Sequence, residues 1–336
     1  MAIFGFVTVL DSFFAAPVRG ECCGPNRRRD APGVAAFRAR HNLCIAAIAF
    51  RMPKPARSGT SPSHYLKTSL FGLGADATNR FSRAPVTGNV PVAVSLTTHS
   101  IRLGRVYRTI ESIARGTVKP QRLLLWLGRQ EEGQPLPGTL LRLQRRGLEV
   151  RYAHDVGPHT KYYPYACSEA AHRLPLVTAD DDMWYPRFWL ERLWQAHQRD
   201  PARVHCYRAR RILLDGTRLL PYETWPFMDD DRPGPTVFAT GVGGVIYPPA
   251  LLDRLRDQGA AFAQCCPEAD DLWLHVSALR HGFEVQQLSR DVMEFETMPA
   301  TQSIGLQNRN VAMSRNDIQA AATYTPADLE LMRRSR

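Results

Sequence analysis

Apolar and polar positions follow two regimes along the chain, with the change near residue 90. Residues 90–96 (VPVAVSL) form an unbroken apolar run of strand length, which predicts a buried strand. Leu103, Val106, Tyr107, Ile110, Ile113 and Ala114 then recur at helical spacing, and Gly116 follows as a stop. Residues 122–127 (RLLLWL) predict a second strand, 136–146 a short amphipathic helix, and 148–153 a third strand. Residues 164–173 suit a helix opened by Pro164, and 174–179 a fourth strand that runs directly into Asp180-Asp181-Asp182. After Pro186, Trp189, Leu190, Leu193 and Trp194 mark one apolar helix face, a core face by the burial habit of such residues. Residues 204–214 predict one strand closed by the Asp215-Gly216 turn. Residues 226–235, with three prolines and Asp229-Asp230-Asp231, predict a surface loop or lid. Residues 238–249 join a glycine-rich turn to a strand, 268–280 predict a helix and 283–288 a last strand. Strands alternating with helices predict an α/β fold, a mostly parallel sheet with right-handed crossovers and helices on both faces.

Residues 1–89 show no sustained period. Arg27-Arg28-Arg29 and scattered Pro and Gly predict a poorly structured basic tail, leaving a single domain over 90–325. The apolar start at residues 1–10 follows no positive charge and is cut by Asp11, which makes a poor secretory signal. Translation from Met52 would omit residues 1–51, and an intact mass retaining Met1 would exclude that reading.

The chain has 336 residues, 44% hydrophobic and 22% charged, which excludes a mainly disordered chain. The longest apolar run, residues 43–50, falls far short of the roughly 18 residues of a membrane span. Net charge is +11, but residues 1–89 hold 12 Lys+Arg against 4 Asp+Glu, so most of the surplus lies there. The body is close to neutral and carries no nucleic-acid footprint. The basic tail instead predicts peripheral attraction to anionic lipid. Seven cysteines without C-x-x-C or zinc spacing, and no N-x-[ST] sequon, fit a reducing, cytoplasmic setting.

The acids supply the candidate chemistry. Asp180-Asp181-Asp182 closes an apolar strand, where α/β sheets bind ligands. In an extended segment Asp180 and Asp182 share a face, so they can hold one Mg²⁺ or Mn²⁺ whose remaining ligands come from a nucleoside diphosphate; a solvated acidic turn is the plain alternative. Asp229-Asp230-Asp231 has the same composition without a preceding strand and reads as a solvated run. Asp270 and Asp271 follow Pro267 and Glu268 at a predicted helix start, where the dipole favours an ionised carboxylate fit to accept a proton; capping is the plain alternative. Gly241-Val242-Gly243-Gly244 is no dinucleotide motif, and reads equally as a close ligand approach or as a tight turn.

Taken in order, SLTTHSIR (95–102), P-x-x-LLLWL (120–127), RGLEV (146–150), the Lys161–Pro164 K-x-x-P, TADDDMWYP (178–186), ATGVGGVIYPP (239–249), CPEADDLWL (266–274) and NDIQ (316–319) resemble bacterial GT-A-fold glycosyltransferases of the family-2-like type. The resemblance covers about two thirds of the chain and excludes residues 1–89. It implies a Rossmann-like mostly parallel sheet and transfer of a sugar from a nucleotide-diphosphate sugar to a glycan or lipid-linked acceptor hydroxyl, with inversion, in cell-surface glycan or glycoconjugate synthesis. Residue by residue, it implies that Thr97, Thr98 and Arg102 face the nucleotide and that Lys161 approaches the diphosphate. Asp180 and Asp182 would be the D-x-D pair holding Mn²⁺ or Mg²⁺, and Asp181 would contact ribose or shape the turn. Gly243 and Gly244 would line the acceptor side, and Asn316 and Asp317 would close the site. Asp271, with Asp270 as second choice, would be the base, although Asp-Asp replaces the commoner Glu-Asp. Two rivals are a nucleotidyltransferase, whose glycine-rich loop after the first strand is missing here, and a carbohydrate-binding scaffold on a dead transferase, against which the intact acids argue.

Overall fold

A computed structural model describes residues 62–298 and 315–334. In chain order the elements begin with α1 (Pro62–Phe81), β1 (Val90–Thr97), α2 (Ser100–Leu103), α3 (Tyr107–Ala114), β2 (Pro120–Gly128), α4 (Gly138–Gln144) and β3 (Leu148–Ala153). Next come α5 (Tyr163–Ser168), β4 (Leu176–Thr178), β5 (Met183–Trp184), α6 (Trp189–Arg199), β6 (Val204–Cys206), β7 (Ala209–Arg211), β8 (Leu214–Asp215) and β9 (Arg218–Leu219). The chain continues with β10 (Val237–Ala239), β11 (Val245–Tyr247), α7 (Pro249–Gln258), α8 (Asp270–Arg280), β12 (Val285–Gln287), β13 (Glu296–Thr297), α9 (Arg315–Thr323) and α10 (Pro326–Arg334).

Seven strands make the central sheet in the order β12-β6-β11-β4-β1-β2-β3. β1 pairs in parallel with β2 and β4, β2 with β3, and β6 with β12. Only β11 is reversed, antiparallel to both β4 and β6. The fold class is therefore the expected one, a mostly parallel α/β sheet flanked by helices. Along β1 the side chains alternate between two cores: Val92, Val94 and Leu96 pack on one face and Ala93 on the other. Each such fully buried aliphatic side chain is worth roughly 1.5–3 kcal/mol relative to exposure. This two-sided burial holds the carboxyl end of β1 rigid beneath the acids.

Three local expectations are corrected. The segment 204–214 is not one strand. β6 lies in the main sheet, whereas β7 leaves it to pair with β10. The helix expected over 103–114 breaks into α2 and α3 around Gly104. Residues 62–81, placed by the sequence pattern in an unstructured tail, are the helix α1. Its buried stripe is Thr68, Phe71, Ala75 and Asn79, and the two polar members hide the period from a hydrophobicity reading. Asn79 Nδ2 donates to Glu111 Oε1 and to the Thr139 carbonyl, both at 3.1 Å, while Asp76 accepts from Tyr107 and Arg108. Glu111 in turn forms a buried pair with Arg146 at 2.6 Å. The described residues from 65 onward form one compact unit, in which α10 buries Leu329 and Met332, beyond the expected boundary at 325. The remainder of the expected tail, residues 1–61, lies outside the described residues. Among the described residues no helix is long and apolar enough to cross a membrane.

Candidate active site

The carboxyl ends of β1 and β4 set one rim of the sheet, with Ser95 beside Thr178 in register. Because β11 runs the other way, its first residue, Val245, also sits beside Thr178. The glycine-rich segment 241–244 therefore reaches the same rim as Asp180-Asp181-Asp182. Strand direction, not sequence proximity, makes that meeting.

Two charge clusters occupy the rim. In the first, Lys161 Nζ lies 3.1 Å from Asp180 Oδ1 and 3.3 Å from Asp270 Oδ2. Lys161 closes the short 3₁₀ turn Gly157–Lys161, and Ser95 Oγ donates to its carbonyl at 2.6 Å while accepting from Trp126 Nε1 at 3.0 Å. The lysine is thus fixed by β1 and only 12% exposed, not solvated. Burial works against its charge, but Asp180, Asp270 and Asp271 overcome that and hold its pKa well above the ordinary lysine value.

Asp271 completes this cluster. Both of its carboxylate oxygens accept from the Gly241 N–H, at 3.0 and 3.1 Å. A Cβ at position 241 would stand 3.1 Å from Asp271 Oδ1 and 3.4 Å from Lys161 Nζ, so the absence of a side chain is what admits the contact. Burial and the Asp270 carboxylate push the Asp271 pKa up to about 7, opposed by Lys161 and the Gly241 N–H. The expectation that the helix start keeps this acid fully ionised near neutral pH is therefore corrected. The α8 dipole is outweighed by desolvation and a neighbouring like charge.

The second cluster centres on Arg102. Its Nη1 donates to Asp181 Oδ1 at 2.7 Å and lies 3.2 Å from Asp182 Oδ2. Asp181, 7% exposed, also accepts from Thr98 Oγ1 at 2.5 Å, so it braces the β1 and β4 ends together. Past Thr178 the chain turns, and the period-two argument for Asp180 and Asp182 does not hold. Asp180 faces Lys161 and Asp182 faces Arg102. The two cations offset the repulsion among the three acids.

Among the described residues no three His, Cys, Asp or Glu side chains gather as a ready metal site. Asp180 and Asp182 retain 25% and 17% exposure and offer hard oxygens. That set fits Mg²⁺ or Mn²⁺ arriving with phosphate oxygens, the usual magnesium mode, and does not fit a metal held by protein alone.

Other expected residues have structural work. Thr97 Oγ1 donates to the Trp126 carbonyl at 3.1 Å. Gly243 and Gly244 have φ of +96° and +105°. The Gly243 carbonyl accepts from Trp189 Nε1, and a Cβ at 244 would stand 2.7 Å from that nitrogen. The turn against Trp189 accounts for glycine at both positions. Asp317 Oδ1 accepts from the Tyr222 N–H at 2.6 Å and anchors the Tyr222–Thr224 turn. Asp230 pairs with Arg211 and Arg232, away from the rim acids. The sequence reading missed Ser95 and Gly241. Gly241 was visible in its glycine cluster, but Ser95 looked like one more strand residue.

No protein-family model and no curated protein matches the chain. Among solved structures, a CMP:2-keto-3-deoxy-manno-octonic acid synthetase complexed with CTP aligns over 67% of this chain and 99% of its own, at 11% identity and a TM-score of 0.38. S. aureus TarS 1–349 aligns over 71% of this chain and 68% of its own, at 12% identity and a TM-score of 0.40. Likenesses of that strength carry no residue roles, and the chemistry of the site rests on its own geometry.

Proposed function

We propose that this chain is a glycosyltransferase that moves a sugar from a nucleotide-diphosphate sugar to an acceptor hydroxyl with inversion. The observation that carries the reading is the meeting at one sheet rim of acids 90 residues apart in sequence, Asp180 with Asp270 and Asp271, through the single buried Lys161. Asp271 is the base. Its pKa of about 7 leaves it able to accept a proton at neutral pH, and unlike Asp270 it lacks a direct lysine contact. The acceptor oxygen attacks the anomeric carbon, its proton passes to Asp271, and the bond to the diphosphate breaks with its electron pair leaving on the nucleoside diphosphate. Asp180 and Asp182 would hold Mg²⁺ or Mn²⁺ together with the diphosphate, and that cation would supply charge stabilisation to the leaving group. Lys161 positions Asp180 and Asp270 and offsets their charge; Thr98, Arg102 and Asp181 brace the nucleotide side. The loop after β1 folds into α2 with Gly104 alone, not a glycine-rich phosphate cradle, which disfavours nucleotidyl transfer. The test is incubation of the full chain with Mn²⁺ and a panel of nucleotide sugars. Release of nucleoside diphosphate, lost in Asp180→Ala, supports transfer; release of pyrophosphate from nucleoside triphosphates contradicts it.

A further inference from the structure

The β7–β10 pair beside the central sheet carries a further charged feature on the Asp271 side. Thr240 immediately precedes Gly241, the residue that hydrogen-bonds Asp271. Thr240 N donates to the Arg208 carbonyl at 3.0 Å, and Arg208 Nε donates to Thr240 Oγ1 at 2.8 Å. Arg208 thus flanks the proposed base through one residue of backbone. Arg208 and Arg210 lie two positions apart at the start of β7 and share a face. Both stack on Phe227, with guanidinium carbons 5.4 and 4.5 Å from the ring centre. Arg210 also lies over Tyr222 at 5.3 Å and donates to the Trp225 carbonyl at 2.8 Å. On the opposite face, Arg211 pairs with Asp230 at 2.9 Å.

The contrast with other arginines is informative. Arg102, Arg122, Arg146 and Arg280 each find a carboxylate within hydrogen-bond reach. Arg208 and Arg210 have none within 4 Å among the described residues. Burial works against the Arg208 cation and lowers its pKa; Glu294 and Asp271 oppose that from beyond contact distance, and the Arg210 charge adds to it. Two adjacent guanidiniums held by aromatic faces, with no carboxylate in direct contact among the described residues, match the two-oxygen geometry of a carboxylate or phosphate. Phe227 is 40% exposed, which leaves part of it free to meet the apolar face of a sugar ring.

We infer that Arg208, Arg210 and Phe227 form an acceptor subsite for a sugar bearing an anionic group, a carboxylate or a phosphate. The inference rests on the transferase reading, and it adds the acceptor's charge to it. A donor diphosphate would be served by Asp180 and Asp182 with the cation they would hold. The Arg208 pair instead adjoins Asp271, where the acceptor hydroxyl must lie. An anion seated there holds its sugar beside the base, and the two guanidiniums offset its repulsion by the rim acids.

The test titrates the full chain with methyl β-glucuronide, glucose 6-phosphate and neutral methyl β-glucoside, and separately with UDP, GDP and CDP in Mn²⁺. At least one acidic sugar should bind about tenfold more tightly than the neutral one. Arg208→Gln should erase that preference and leave nucleotide affinity within about twofold, while Arg208→Lys, which keeps the charge, should recover part of it. Equal binding of acidic and neutral sugars by the wild-type protein overturns the inference. So does a fall in nucleotide affinity in Arg208→Gln with acidic-sugar binding unchanged, which would assign the arginines to the donor. Failure of the transferase reading shows separately, as absence of nucleotide binding in Mn²⁺ and indifference to Asp180→Ala.

Discussion

Asp271→Asn separates proton transfer from binding and from folding. The amide oxygen still accepts the Gly241 N–H, so the local geometry has a donor–acceptor pair to retain. The lost base should lower kcat by about 10²–10⁴-fold with donor KM nearly unchanged, because the carboxylate acts in the transition state. The rate of the wild-type enzyme should rise with pH through about 7 as Asp271 ionises, and the variant should lose that limb. Stability moves the other way. The Asp271 pKa is 3.8 in an ordinary setting and about 7 in the fold, so its stabilising share is fully present below pH 3.8 and disappears as pH rises through 7. At 1.36 kcal/mol per pKa unit the difference is at most about 4 kcal/mol, and the partial exposure of the side chain brings it to about 2–3 kcal/mol. Asp271→Asn should therefore be more stable than wild type by about 2–3 kcal/mol at pH 8 and equal to it near pH 4. Urea unfolding at both pH values, beside steady-state kinetics, reads both effects. A variant with near-normal kcat, or one less stable than wild type at pH 8, refutes the assignment.

Further outcomes follow from other contacts. Asp180→Ala and Asp182→Ala should abolish transfer and weaken Mn²⁺-dependent nucleotide binding while circular dichroism stays native, whereas Asp229→Ala should keep activity within a few-fold. Gly244→Ala places a Cβ 2.7 Å from Trp189 Nε1 at a φ of +105°. It should cost about 2 kcal/mol or more in urea unfolding, and an unchanged midpoint would remove the structural explanation of that glycine. A chain starting at Val86 loses Asp76 and Asn79 and leaves the buried Glu111–Arg146 pair short of a partner. It should be destabilised by about 2–4 kcal/mol or fail to express as soluble protein, and unfolding of a truncation series measures this.

The strands next to the site were legible because each is a short apolar run, buried on both faces and bounded by polar residues, as β1, β2 and β4 are. Helix α1 was not, because the polar Thr68 and Asn79 stand among its buried positions. The reversal of β11 was not legible either, since a three-residue apolar strand carries no direction. The acids of the site were visible as residues at element ends, but their partners were not. Lys161, Ser95 and Gly241 come together only through sheet order and strand direction. The raised pKa of Asp271 depends on that burial and was therefore beyond a reading of helix-start chemistry alone.

The most direct measurement is the anomeric configuration of the product. With the full chain, Mn²⁺, the nucleotide sugar it consumes and an accepted sugar, proton NMR of the glycoside reports the anomeric configuration, which the acetal linkage preserves. Direct displacement with Asp271 as base predicts a glycoside of inverted configuration and one equivalent of nucleoside diphosphate. Retention of configuration, or pyrophosphate in place of nucleoside diphosphate, contradicts it.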